Sequence, residues 1–121
     1  MSKYRYKDYV CPQCWQKITK CKCKYQSWAL IMIDEAIQDA IKILNNKRLK
    51  TEYCCAGHYK GEGAYTEIQV QFFKKPNSYP EGWTNRDRNI WYGFEPRNEN
   101  EFKEIQKREI ENLIKWANSN P

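Results

Sequence analysis

The stretch SWALIMIDEAIQDAIKILNN, residues 27–46, changes its periodicity at Asp34. Before that point, residues 28–33 are almost continuously apolar, a run too short for periodicity to separate a strand from a buried helix. After it, Ala36, Ile37, Ala40, Ile41 and Leu44 recur at helical spacing, with Gln38, Asp39 and Lys42 on the opposite side. Asp34 has the side chain of an N-cap, and Glu35 falls in the first turn, where the helix dipole favours an acid. Asn45-Asn46 suits a helix end. The favoured reading is a strand at 28–33 and a helix at 34–46. Its rival, one helix over 28–46, leaves Leu30, Ile31, Met32 and Ile33 apolar all round. On the favoured reading residues 50–55 form the next strand, and the pair becomes a right-handed βαβ unit with parallel strands.

Downstream, residues 66–73, TEIQVQFF, alternate. Ile68, Val70 and Phe72 fall on one face and Glu67, Gln69 and Gln71 on the other, as in a half-buried strand. Residues 74–89 carry Pro76, Asn77, Ser78, Pro80 and Gly82 and read as loop. IWYGF, residues 90–94, reads as a short edge strand. Asn98-Glu-Asn-Glu101 opens a second helix with a capping-box-like start. Its apolar side is Phe102, Ile105, Ile110, Leu113 and Ala117, with Ile114 and Trp116 at the margins. The expected fold is therefore α+β, an α/β sandwich. It has a small four-stranded mixed sheet with two helices on one face, preceded by an N-terminal zinc knuckle. The expected division is a knuckle over 1–26 and an α/β domain over 27–121, forming one compact unit.

The knuckle rests on residues 11–23, CPQCWQKITKCKC, in the pattern C-x2-C-x6-C-x-C. Cys-Pro-x-Cys presents two thiolates from one tight turn. Cys21 and Cys23, one residue apart, share a face in an extended segment. Four thiolates make a common structural zinc site, so Cys11, Cys14, Cys21 and Cys23 are the expected ligands. Only Trp15 and Ile18 lie between the pairs as apolar residues, too few to bury four thiols without metal. No signal-peptide core or membrane-length apolar run appears, so the expected setting is cytoplasmic, where disulfides are disfavoured.

The net charge of +6 is unevenly placed. Residues 1–28 carry Lys3, Arg5, Lys7, Lys17, Lys20, Lys22 and Lys24 against Asp8 alone. The rest of the chain is balanced, fourteen basic against fourteen acidic. Tyr4, Tyr6, Tyr9, Trp15, Tyr25 and Trp28 are interleaved with those cations. Cations neutralise phosphates and aromatic rings stack on bases. The same composition also serves a protein contact or a solvated face. Lys3, Tyr4, Arg5, Tyr6, Lys7, Lys20, Lys22 and Lys24 are the candidate partner-binding residues.

Residues 51–58, TEYCCAGH, hold two adjacent cysteines and the only histidine. Strand alternation puts Tyr53 and Cys55 on one side and Cys54 on the other. Gly57 permits a left-handed turn that returns His58 toward Cys55. Three readings stand side by side. Both cysteines are buried core; or Cys54, Cys55 and His58 supply a second metal or ligand site; or Cys55 is a nucleophile activated by His58. No phosphate-binding glycine motif or paired-carboxylate pattern is present.

The runs CPQCWQKITKCKCK, WALIMIDEAIQDAIKILNNKRLKTEYCCAGHY and YTEIQVQF, with YPEGW and IWYGF, together resemble a family of small uncharacterised proteins of Firmicute bacteria and their phages. The likeness covers Cys11, Cys14, Cys21, Cys23, Cys54, Cys55, Gly57 and His58. It implies a zinc ribbon and a strand at 28–33. Arg48 stands where that family has glycine. TEYCCAGH alone also resembles a strand-end motif of the wybutosine-synthesis methyltransferases, with no cofactor site carried over. The leading expectation is a zinc-binding module for nucleic acid or a nucleic-acid machine, with enzymatic activity left open. The alternatives are a phage-encoded inhibitor docking through Tyr4, Tyr6, Trp83 and Trp91, and a small Cys-His enzyme or ligand sensor.

Overall fold

The computed structural model describes residues 7–10 and 31–119, with side chains from Ala36 onward. The elements in order are β1 (Lys7–Val10), β2 (Ile31–Asp34), a 3-10 turn (Glu35–Ile37), α1 (Gln38–Asn46), β3 (Thr51–Cys55), β4 (Thr66–Phe72), β5 (Thr84–Arg86), β6 (Asn89–Phe94) and α2 (Glu99–Asn118). The class is α+β, with two helices packed on a four-stranded sheet.

The sheet is antiparallel throughout, in the order β3-β4-β6-β5. This corrects the mixed sheet and the parallel βαβ unit. β2 pairs instead with β1, antiparallel, from Lys7 opposite Asp34 to Val10 opposite Ile31. The physical reason on the β3 side is proximity. The loop 56–65 returns the chain directly onto β3, so an antiparallel partner is reached at low closure cost. Parallel pairing is also slightly weaker per residue.

Two further expectations are corrected. β6 is a central strand, because residues 84–86 add β5 at its outer edge from within the stretch read as loop. The turn joining them has no glycine: Asp87 takes φ 54°. Asn85 Nδ2 donates to the carbonyls of Asp87 at 3.1 Å and Asn89 at 2.9 Å. Trp83, read as an exposed docking aromatic, is only 4% accessible, and Trp91 is half-buried. Trp83 Nε1 donates to Glu109 Oε1 at 3.1 Å. Glu109, itself buried, also accepts from Arg108 Nε at 2.9 Å. A buried indole N–H needs such a partner, and Glu109 answers that need from the core side of α2.

Alternation in β4 is realised as expected: Thr66, Ile68, Val70 and Phe72 are buried, while Glu67, Gln69 and Gln71 are half-buried on the other face. Inward residues meet Ile37, Ala40, Ile41 and Leu44 from the α1 side and Phe102, Ile110, Leu113, Trp116 and Ala117 from α2. Burying each large aliphatic side chain stabilises by about 1.5–3 kcal/mol. Phe94 stacks on Phe102 with ring centres 5.8 Å apart. Trp116, placed at the margin by the helical pattern, lies in the core with its ring 6.4 Å from Phe72. α2 starts as its sequence indicates, with Asn98 Oδ1 accepting from Glu101 N at 2.9 Å. Glu101 in turn accepts from the Arg97 guanidinium and backbone N–H, and these bonds hold its carboxyl below the usual carboxylate range. α1 differs: the 3-10 turn comes first, and the α-helix begins after Ile37 with no side-chain cap.

The end of α1 sets the entry to β3. Leu49 N donates to Leu44 O at 2.9 Å and Arg48 N to Asn45 O at 3.1 Å, the bond pair of a Schellman turn. Asn45 Nδ2 donates to Thr51 Oγ1 at 3.0 Å, and Asn45 Oδ1 accepts from Thr51 N at 3.2 Å, tying helix end to strand start. Arg48 occupies the left-handed position with φ 66°, where glycine carries no Cβ penalty. Arg48→Gly is expected to stabilise the fold by about 0.5–1 kcal/mol, read as a higher urea midpoint at unchanged slope.

Candidate functional site

β3 has an irregularity between Thr51 and Tyr53, after which its register on β4 is regular. Cys54 opposes Val70 and is 2% accessible within the core. Cys55 opposes Gln69 on the other face and is 8% accessible. The two-residue period therefore separates the adjacent cysteines, as alternation requires.

Gly57 then turns the chain with φ 83°. A Cβ there would meet Glu67 O at 3.4 Å and Thr66 Oγ1 at 3.6 Å, ordinary contact distances, so the position disfavours a side chain through backbone strain and not through lack of space. The turn is held at both ends. His58 N donates to Thr66 Oγ1 at 3.0 Å, and Gln106 Nε2 donates from α2 to Ala56 O at 2.9 Å. Tyr59 then packs its ring 5.9 Å from Phe102. The result brings His58 Nε2 to 3.8 Å from Cys55 Sγ.

These two side chains open on a cleft of about 230 Å³, shared with Tyr53, Lys60, Tyr65, Glu67 and Gln69. Tyr65 lies against Gly93, where any Cβ would collide with its phenol. Its hydroxyl donates to Glu67 Oε2 at 2.9 Å. Partial burial, then the bond to and charge of Glu67 and the charge of Glu95, raise the Tyr65 pKa above its ordinary value. The phenol is therefore a donor throughout the neutral range. The cleft wall thus offers a thiol, an imidazole, a carboxylate, an amide and a cation, with tyrosine rings at its rim.

Chemically, a thiol beside an imidazole is a soft donor pair and the beginning of a nucleophile–base pair. Cys55 and His58 are brought together and Cys54 is directed away from them. Among the described residues no group of three or more His, Cys, Asp or Glu is placed to hold a metal ion. Cys11, Cys14, Cys21 and Cys23 lie outside the described residues, as do Lys3, Tyr4, Arg5, Tyr6, Lys20, Lys22 and Lys24. Lys7 opens β1. Tyr65, Thr66 and Glu67 join the site from β4 and its approach. Their signal was the hairpin itself: an antiparallel return through the glycine-rich loop brings that end of β4 beside the end of β3. The chain matches no family model, no curated protein and no solved structure.

Cys55 is expected to react with a small alkylating reagent in the native protein well before Cys54, which should label only on unfolding. Peptide mapping of timed alkylations checks the order, and His58→Asn is expected to slow the Cys55 reaction.

Proposed function

We propose that the protein is a small zinc-binding module that recognises nucleic acid or a nucleic-acid machine. The observation that carries this reading is the segregation of charge: all of the positive excess lies in residues 1–28, interleaved with six aromatic residues. Phosphate neutralisation needs the cations and base stacking needs the rings. In this reading Cys11, Cys14, Cys21 and Cys23 hold one structural zinc that orders the segment and fixes the spacing of its lysines.

A second reading has one specific observation in its favour, the 3.8 Å approach of Cys55 and His58 within an open cleft. It takes the cleft as a site for a small ligand or a thiol reaction, independent of the N-terminal segment.

Two measurements test the first reading. Zinc content is expected at one ion per chain, and unchanged in His58→Ala. Loss of metal in that variant would place His58 in the coordination sphere instead. Anisotropy titration of a labelled oligonucleotide is expected to show binding that weakens with salt. Single strands give a log–log slope of about −0.7 per neutralised phosphate, so the seven cations of residues 1–28 contribute at most roughly −5 to the slope. No binding at low salt, or binding indifferent to salt, overturns the reading.

A further inference from the structure

The β3–β4 ladder has a second feature at the end opposite the Cys55 cleft. Thr51 opposes Phe72, and Phe73 N donates to Lys50 O at 3.1 Å. That bond fixes the segment entering β3 beside the segment leaving β4. Between them runs a groove of about 490 Å³, lined by Arg48, Leu49, Lys50, Phe73, Lys74 and Lys75 among others. Four of these six carry positive charge, and among the described residues no carboxylate lines the groove. The acid next along β3, Glu52, is engaged elsewhere, accepting from Gln71 Nε2 at 2.7 Å and Arg88 Nη1 at 3.3 Å.

Two details set the groove apart from an ordinary solvated basic face. Phe73 is 57% accessible, although alternation in β4 already buries its neighbour Phe72. Its ring leaves unused much of the stabilisation that burial of a large apolar side chain supplies. The second detail is Arg48, held in a left-handed conformation that glycine would adopt without strain. The chain thus keeps a guanidinium at a backbone position where it costs stability, and keeps a phenyl ring in water next to it. Strain and exposure of this kind concentrate where a ligand recovers the cost.

We infer that this groove binds single-stranded nucleic acid, with Phe73 stacking on a base and Arg48, Lys50, Lys74 and Lys75 neutralising the adjoining phosphates. The inference rests on the nucleic-acid reading above and gives it a site on the folded sheet, separate from residues 1–28. A single strand fits both halves of the groove. Cations alone would serve any polyanion, but an exposed ring between them asks for a planar partner whose face is open. Bases in a duplex are already stacked, and an acidic peptide supplies charge without a planar face.

The test uses the whole 121-residue chain purified with zinc present, labelled oligothymidylate of twelve nucleotides, the same strand paired with oligoadenylate, and a polyglutamate peptide of equal charge. Phe73→Leu keeps the apolar volume and removes the ring face. It is expected to weaken oligothymidylate binding on the order of tenfold with an unchanged salt slope. Lys74→Gln with Lys75→Gln is expected to weaken binding and to flatten the slope by about 1.4, two phosphates at roughly 0.7 each. Arg48→Gly is expected to weaken binding while raising the urea midpoint, so its loss of affinity cannot be a loss of folding. If wild type binds but all three variants bind like it, the groove is not the site, and the nucleic-acid reading survives on residues 1–28 alone. If wild type binds no oligonucleotide, both fail together. Equal affinity for the duplex, or tighter binding of polyglutamate, overturns the choice of ligand.

Discussion

The antiparallel ladder between Thr51–Cys55 and Thr66–Phe72 is the constraint on which the rest depends. Its two-residue period sends Cys54, Val70 and Ile68 into the core and turns Cys55 and Gln69 the other way. One end of the ladder is closed by Gly57 and Thr66, which place His58 beside Cys55. The other is closed by the Phe73–Lys50 backbone bond and by Asn45, which fastens α1 to Thr51. A slip of one residue would exchange the two faces and dismantle both ends at once.

The helices serve this ladder from one side. α1 supplies a compact apolar stripe and α2 a longer one, and aromatic contacts between Phe72, Phe94, Phe102, Tyr59 and Trp116 fill the space between them and the sheet. Gln106 reaches from α2 to the carbonyl of Ala56, so the turn before His58 is anchored to the core as well as to the sheet. The cleft therefore sits on a rigid base, while its rim is built from exposed tyrosines and polar side chains. At the far end, the same rigidity holds Arg48 in a conformation that costs free energy. The two ends differ in chemistry: one offers a thiol and an imidazole, the other charge and a bare aromatic ring.

Much of the local architecture was legible in residue order. The alternation of TEIQVQF, the helical spacing of Ala40, Ile41 and Leu44, and the Asn98 cap all appear where their patterns place them, because each is a short-range property of the chain. So was the split between Cys54 and Cys55, which follows from strand geometry, and the return of His58, which follows from a glycine able to take positive φ. The misreadings have two causes, a turn built without glycine and a contact distant in sequence. β5 was hidden because its turn uses Asp87 and an Asn85 side chain in place of glycine. Trp83 looked exposed because its partner Glu109 lies 26 residues away.

The sequence by itself determined the types of the strongly periodic elements, most of the core stripes and the separation of the two cysteines, since these depend on periods of two and 3.6 residues along one segment. Only the tertiary structure decided which strands are neighbours. β2 and β3 flank a helix and invite a parallel pairing, yet each ladder forms with an antiparallel partner. That choice rests on a competition between alternative pairings of similar local quality, settled by loop closure and by which faces the helices cover. It also decided what stands beside what: Tyr65 and Glu67 beside Cys55, and Phe73 beside Lys50. Side chains far apart in the sequence become a site only after the register of the sheet has been chosen.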